Sequence, residues 1–291
     1  MEAMKLLAAL AVLATATVSA QQNPVLGEEP VRVSDHVWAL MGWPNIGIVV
    51  GDRATLVVDT GLGPRNGVTI ARVAAKLAPN NRLYLTTTHF HPEHAAGDNG
   101  FPPNTILIRD AVQQQEMFQH GKEMVDMFAS RDAQRKELLS DTKMRAPDIV
   151  FSGEELGLDL GGGVVARLLW FGGAHTKGDE LTFVLPDRTL ISGDVVQNKT
   201  APNIYGDGGT PSSWLAVVNK IEDLHVQHVV PDHSAPGDGS MVTQEKALIS
   251  ELRAKALALK KQGVSADEAG KQISAEMKMN VAPFVKSVYS E

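Results

Sequence analysis

The chain has 291 residues and a formal net charge of -7, from 27 basic and 34 acidic side chains. An acidic balance is wrong for tracking phosphate backbones, so nucleic acid is not an expected partner. Cysteine is absent, which excludes disulfides, a thiol nucleophile and thiolate ligands; any metal must be held by nitrogen and oxygen, a donor set that suits zinc first and iron, manganese or cobalt after it.

The N-terminus reads as a secretory signal: Lys5, an apolar run from Leu6 to Val18, then the small-residue pattern Val18-Ser19-Ala20. Cleavage before Gln21 would make residues 1–20 a signal peptide and the mature protein periplasmic or secreted. The apolar run is shorter than the roughly 20 residues that span a bilayer, so no stable membrane insertion is expected after cleavage. Residues 21–291 are long enough for one large domain with a substantial core, and no linker marks a second.

Apolar strands alternate with turns from Val31 to Leu40, Ile46 to Gly51 and Ala54 to Asp59, and a helix follows over Val68–Leu77. The strand Leu83–Thr87 runs directly into Thr88-His89-Phe90-His91-Pro92-Glu93-His94. Beyond a strand at Thr105–Arg109, one long helix is expected over Ala111–Leu139, with a Met/Phe stripe read as core packing. Strands return at Ile149–Phe151, Glu155–Leu160, Val164–Phe171, Glu180–Leu185 and Thr189–Ser192, followed by a helix Ser212–Leu224 and a strand Gln227–Val230. Two last helices, Thr243–Lys261 and Ser265–Met277, are expected to complete the chain.

Three imidazoles and a carboxylate within six residues form a metal-ligand cluster. In an extended segment residues i and i+2 point to the same side, so His89 and His91 can grip one ion while Glu93 and His94 turn toward a second. His175, Asp194 and His233 stand at turn-like positions downstream. The other four histidines, His36, His120, His225 and His228, read as ordinary surface or core residues.

With these motifs in hand, the chain resembles the metallo-β-lactamase superfamily. The likeness runs through Val57-Val58-Asp59-Thr60-Gly61, the His-x-His-x-acid-His element, Gly173-Ala174-His175-Thr176-Lys177-Gly178-Asp179, Leu190-Ile191-Ser192-Gly193-Asp194 and Val230-Pro231-Asp232-His233. It implies an α/β sandwich of four layers, αββα, with the site at one edge. It implies a first metal on His89, His91 and His175, a second on Glu93, His94 and His233, and Asp194 between two zinc ions. Glu93 and Asp194 would be catalytic, with hydroxide formed on the metals as nucleophile. Asp59, Thr176 and Asp179 would support the ligands from behind, because ligating imidazoles donate their other N–H to a carboxylate or carbonyl. Lys199, Asn203 and Trp43 are candidates for touching substrate.

Two positions depart from the common pattern. Glu93 stands where most members have Asp, and its extra methylene pushes the carboxylate outward by on the order of 1.5 Å. Catalytic geometry tolerates roughly 0.5 Å, so either the loop compensates or the second metal is weak. Asp194 stands where the best-known β-lactamase subclass has Cys. The expectation is an exported zinc hydrolase acting on a C–N or C–O bond of a small molecule, with β-lactams as the leading substrate class. The alternatives are a lactonase, thioesterase or phosphoesterase, an iron-dependent sulfur dioxygenase, or a periplasmic metal-binding protein without catalysis.

Overall fold

A computed structural model describes residues 23–205 and 208–291; residues 1–20, expected to be a signal peptide, lie outside the described residues. A seven-stranded sheet carries β1 (Pro30–Arg32), β2 (Val37–Leu40), β3 (Ile46–Val50), β4 (Ala54–Val58), β5 (Arg82–Thr86), β6 (Ile106–Asp110) and β7 (Ile149–Phe151) in chain order. The second, six-stranded sheet is ordered β13 (Gly237–Asp238), β12 (His228–Pro231), β11 (Thr189–Gly193), β10 (Leu181–Leu185), β9 (Val164–Leu169), β8 (Glu155–Gly161).

Strand alternation sorts side chains into layers. Val49, Leu56, Val58 and Ile108 from the first sheet meet Ala166, Leu168, Val184, Ile191 and Val230 from the second in a buried core between the sheets. On the outer face of the first sheet, Ile46, Ile48, Val57 and Leu85 pack on Ile70, Val73 and Ala74 of α1 (Pro64–Leu77). On the outer face of the second, Leu169, Phe183, Leu190 and Val229 are covered by α5 (Pro211–Asp223), α6 (Ser240–Lys261), α7 (Ala266–Met277) and α8 (Ala282–Ser290). The result is the expected αββα layering. The remaining helices are the short α2 (Pro92–Ala95), α3 (Ala111–Ala129) and α4 (Ala133–Leu139).

Several boundaries differ from the sequence reading. The segment Val31–Leu40 is two antiparallel strands rather than one, with Val33 and Ser34 N–H groups bonding back to the Val37 carbonyl. The long helix expected over Ala111–Leu139 breaks at Ser130-Arg131-Asp132, where Asp132 turns extended and its carboxylate caps the Arg135 N–H. The chain does not finish with the helix ending at Met277. After Lys278 closes α7 in a left-handed conformation, α8 follows with Pro283 in its first turn, where a missing N–H costs nothing.

Phe284, Val285 and Val288 of α8 are fully buried, and Phe284 sits edge-on to Trp214 with centroids 6.3 Å apart. Phe284→Ala should therefore cost about 3–5 kcal/mol, as buried Phe truncations do. A urea titration following Trp fluorescence should show the midpoint falling with an unchanged slope.

Candidate metal centre

The cluster gathers at the carboxyl ends of two parallel strand pairs, β4/β5 in one sheet and β11/β12 in the other, where open α/β sheets place their ligand sites. β4 delivers Asp59, β5 leads into Thr88–His94, β11 ends at Asp194 and β12 at His233. The β9–β10 connection supplies His175. A register shift between Ile191 and Gly193 kinks β11, and Gly193 adopts φ +56°; a Cβ there would lie 2.8 Å from the Thr88 Cβ. Glycine lets the second sheet close on the first at this point.

Two triads of donor atoms result, one from His89, His91 and His175 and one from Glu93, His94 and His233, each with its atoms within 4.8 Å of one another. Nε2 of His89 lies 3.0 Å from Nδ1 of His91, and Nε2 of His175 lies 3.4 Å from that same Nδ1. Asp194 stands between the triads, with Oδ2 3.3 Å from His175 Nε2 and Oδ1 3.5 Å from His233 Nε2. Glu93 is the second residue of α2, and its longer side chain brings Oε1 to 4.0 Å from His94 Nε2.

Hydrogen bonds fix the tautomers. His175 Nδ1 donates to the Asn203 carbonyl at 2.5 Å, which leaves its Nε2 lone pair toward the cleft, and His94 Nδ1 faces Asp59 Oδ2 at 3.1 Å and Asp232 Oδ2 at 3.2 Å, so that its Nε2 faces the cleft and could ligate a cation in place of a proton. A third group of possible ligands, His89, His94 and Asp232, meets on the other side of the rings. The Thr88 hydroxyl already occupies that space, 3.2 Å from His89 Nδ1, 3.3 Å from His94 Nδ1 and 3.2 Å from Asp232 Oδ2. We therefore read this group as support rather than as an ion site.

The protonation states suit cations. Burial and the surrounding imidazoles hold His89 and His91 well below the usual histidine range, and burial takes His233 down to about 4, so these rings are neutral and can ligate. Burial works against the Asp194 charge, but His233 and His175 outweigh it and hold the carboxyl at about 2. Burial pushes Glu93 up to about 7 against the pull of His94, and a cation beside it would return it to the ionised form. Glu93 Oε2 and His94 Nε2 are buried with no hydrogen-bond partner, as unoccupied ligand atoms would be. The residues fit a pair of divalent cations held by nitrogen and oxygen.

The supporting residues are partly those expected. Asp59 accepts from the Thr88 N–H at 2.7 Å and reaches His94. Thr176 and Asp179 touch no ligating ring; Asp179 accepts from the Ala174 and Thr176 N–H groups on either side of His175 and from the Thr176 hydroxyl, so it shapes the loop. Asn203 reaches the cluster through its main-chain oxygen while its residue is otherwise exposed, and Lys199 is exposed at φ +57°. Trp43 lies 5.3 Å from the His233 ring and stacks on Phe128 at 6.2 Å.

Residues without an assigned role also enter. Asp232, quoted within the last motif, faces opposite to its neighbour His233 and supports His94. Gln197 donates to Asp194 Oδ1 at 2.7 Å and accepts from the His233 N–H at 3.3 Å. His120, taken as an ordinary histidine, lines a cavity of about 270 Å³ with Phe90, Met124, Met127 and Tyr205. Phe90 and Tyr205 lie 4.9 and 4.6 Å from the His91 ring, so α3 and its Met/Phe stripe serve the cleft as well as the core.

Asp232→Asn should weaken the site containing His94 by about 10–100-fold in metal affinity, the usual effect of losing a ligand's outer partner. Zinc titration of the stripped protein should show the second equivalent loosening while the first, on His89, His91 and His175, holds. A separate pH effect comes from Glu245 on α6, which burial pushes up to about 8. The folded protein then holds this proton more tightly than the unfolded chain, so its contribution is full below pH 4.5 and is lost as pH rises toward 8. Glu245→Gln should flatten that decline by a few kcal/mol in urea melts run across the range.

Comparison with known proteins places this geometry in a family. Residues 35–233 match the family described as the metallo-beta-lactamase superfamily. The chain is 21% identical over 230 residues to the linear primary-alkylsulfatase of Pseudomonas sp. (strain ATCC 19151), an overlap of 68% of this chain and 43% of that protein, so the chain spans under half the length of this relative. Among solved structures, the metallo-beta-lactamase from Pontibacter korlensis superposes with a TM-score of 0.63 at 16% identity, covering 77% of this chain and 99% of that one. The stereoselective inverting sec-alkylsulfatase Pisa1 from Pseudomonas sp. superposes with a TM-score of 0.69 at 14% identity, covering 90% of this chain and 49% of that one. At these identities the structural likeness is one of fold. The chain belongs to the metallo-beta-lactamase superfamily, whose members are metal-dependent hydrolases.

Proposed function

We propose that this chain is an exported, periplasmic or secreted hydrolase carrying two zinc ions, with β-lactams as its leading substrate class. The observation that carries the reading is Asp194 within 3.5 Å of both His175 and His233, one carboxylate shared by two triads of ligand atoms. His89, His91 and His175 would hold one ion and Glu93, His94 and His233 the other. Bound divalent cations lower the pKa of water and polarise the bond under attack.

The protein's own groups supply the rest. Glu93 Oε2, buried and unpaired, is placed to take and return a proton in the cleft. Gln197 fixes Asp194, and the Asn203 carbonyl fixes the His175 ring. Trp43 and Phe128 form an apolar wall beside His233 that excludes water from that side.

Sulfate-ester hydrolysis is the second reading, and one observation favours it. The sulfatase superposition leaves a tenth of this chain unmatched, fewer residues than lie beyond His233, so it takes in part of the C-terminal helical layer.

The deciding experiment is turnover by the zinc-loaded mature protein on penicillins, cephalosporins, carbapenems and alkyl sulfates. Chelator-sensitive lactam hydrolysis, reduced at least about 100-fold in Glu93→Gln, is the expected result. Turnover of alkyl sulfates alone would transfer the assignment to the second reading, and no turnover on either class would overturn both.

A further inference from the structure

The break between α3 and α4 leaves one cation at the mouth of the cleft. Arg131 is exposed, and its guanidinium carbon lies 3.7 Å from the Phe128 ring centroid. Phe128 in turn stacks on Trp43 and lies 6.4 Å from the His91 ring. A second guanidinium, Arg135, covers Trp43 at 4.8 Å, but it is spent on Asp132. Arg131 has no such partner: among the described residues no carboxylate lies within ion-pair distance of it.

We propose that Arg131 is the anchor for an anionic group on the substrate, and that the cavity between α3 and Tyr205 takes the apolar remainder, making the preferred ligand an amphiphilic oxyanion. The proposal rests on the hydrolase reading for the bond that is cleaved, but not for the binding of the anion.

Two features of the wall support it. A guanidinium laid on an aromatic face keeps its planar edge free to grip a carboxylate or sulfate with paired hydrogen bonds, and the ring beneath holds it in place. The cavity can take the other end of such a molecule: Phe90, Met124, Met127 and Tyr205 give it apolar walls, beside the polar His120, Glu116 and Glu123. The Glu116 carboxylate in its wall is turned to the Lys177 and Gly178 N–H groups, so it does not present a free charge to a ligand.

Calorimetric titration of the zinc-loaded protein with non-hydrolysable probes tests this without relying on turnover. The probes are octanesulfonate and octanoate as anions, ethanesulfonate as a short anion, and 1-octanol as a neutral chain. Wild-type protein should bind an eight-carbon anion at least about 10-fold more tightly than octanol or ethanesulfonate. Arg131→Met, which keeps the stem on Phe128, should lose about 10-fold for the long anions and leave octanol unchanged. Arg131→Lys should fall between, because it keeps the charge without the fork.

Whichever anion binds more tightly, sulfonate or carboxylate, tells whether the natural group is a sulfate or a carboxylate. Equal losses for anion and octanol in Arg131→Met, or no loss at all, would overturn the anchor. Equal affinity for the long and short sulfonates would overturn the cavity. Arg131-dependent anion binding in a protein that hydrolyses neither lactams nor sulfates would leave the anchor standing and remove only the reaction.

Discussion

The Thr88 hydroxyl is the point through which the two sheets and the two ligand triads are tied together. It lies 3.0 Å from Asp59 Oδ2 at the end of β4, 3.2 Å from Asp232 Oδ2 at the end of β12, and against the outer nitrogens of His89 and His94. Gly193 of β11 comes so near from the second sheet that a Cβ on it would lie 2.8 Å from the Thr88 Cβ. A hydroxyl has one proton to donate and two lone pairs, so it cannot satisfy all these groups by itself. Asp59 and Asp232 face one imidazole ring, and burial together with Asp59 raises the Asp232 carboxyl well above its usual range. Two carboxylates on a single neutral ring leave negative charge unbalanced in a dry interior. Burial disfavours charge on His94, yet the two acids outweigh it and raise that ring well above the usual range. A cation on His94 Nε2 would supply the same balance without protonation.

What the sequence disclosed follows from how local each signal is. The His-x-His-x-Glu-His cluster and the alternation that builds both sheets are set by spacing along one strand or one turn and are legible, whereas the two triads, which draw on His175 and His233 from distant segments, came only from the family resemblance. Asp232 was not, because a carboxylate beside a ligating histidine in a Pro-Asp-His stretch looks like turn chemistry until strand pairing shows which way it faces. The break at Asp132 was hidden for a related reason: Ser130-Arg131-Asp132 carries neither glycine nor proline, and only the capping bond to the Arg135 N–H marks a new helix. The helix after Met277 was missed although Pro283 stands in its first turn, where proline is at home. The Tyr205 contact with His91 joins residues far apart in sequence, and no periodicity encodes it.

The helical layer on the second sheet reaches the metal centre as well as the core. The turn after Asp194 is held on three sides: Trp214 of α5 donates to the Val195 carbonyl at 3.0 Å, Ser192 donates to the Val196 carbonyl at 2.8 Å, and Gln197 N–H approaches Glu245 of α6 at 3.4 Å. Gln197 then holds both Asp194 and the His233 main chain. The carboxylate between the triads is thus fixed from behind by helices whose residues contribute no ligand. Trp214 and Phe284 make this support continuous with α8, so the last helix of the chain is coupled to the position of Asp194 through a packed core.

Glu93 shows how such a frame accommodates a longer acid. His91 is extended and Pro92 opens the helical turn, and the Ala95 N–H bonds back to the His91 carbonyl at 2.9 Å. A rigid turn of this kind sets the Cα position of residue 93 before its side chain is chosen. With the backbone pinned by Thr60, whose N–H and hydroxyl both bond to the His94 carbonyl at 2.8 Å, an added methylene cannot be relieved by moving the chain. It has to be taken up in the side chain, and the buried Oε2 shows where that leads: one carboxylate oxygen turns toward His94 and the other stays unpaired in the cleft. Glutamate therefore keeps its place beside His94 while gaining reach into the cleft.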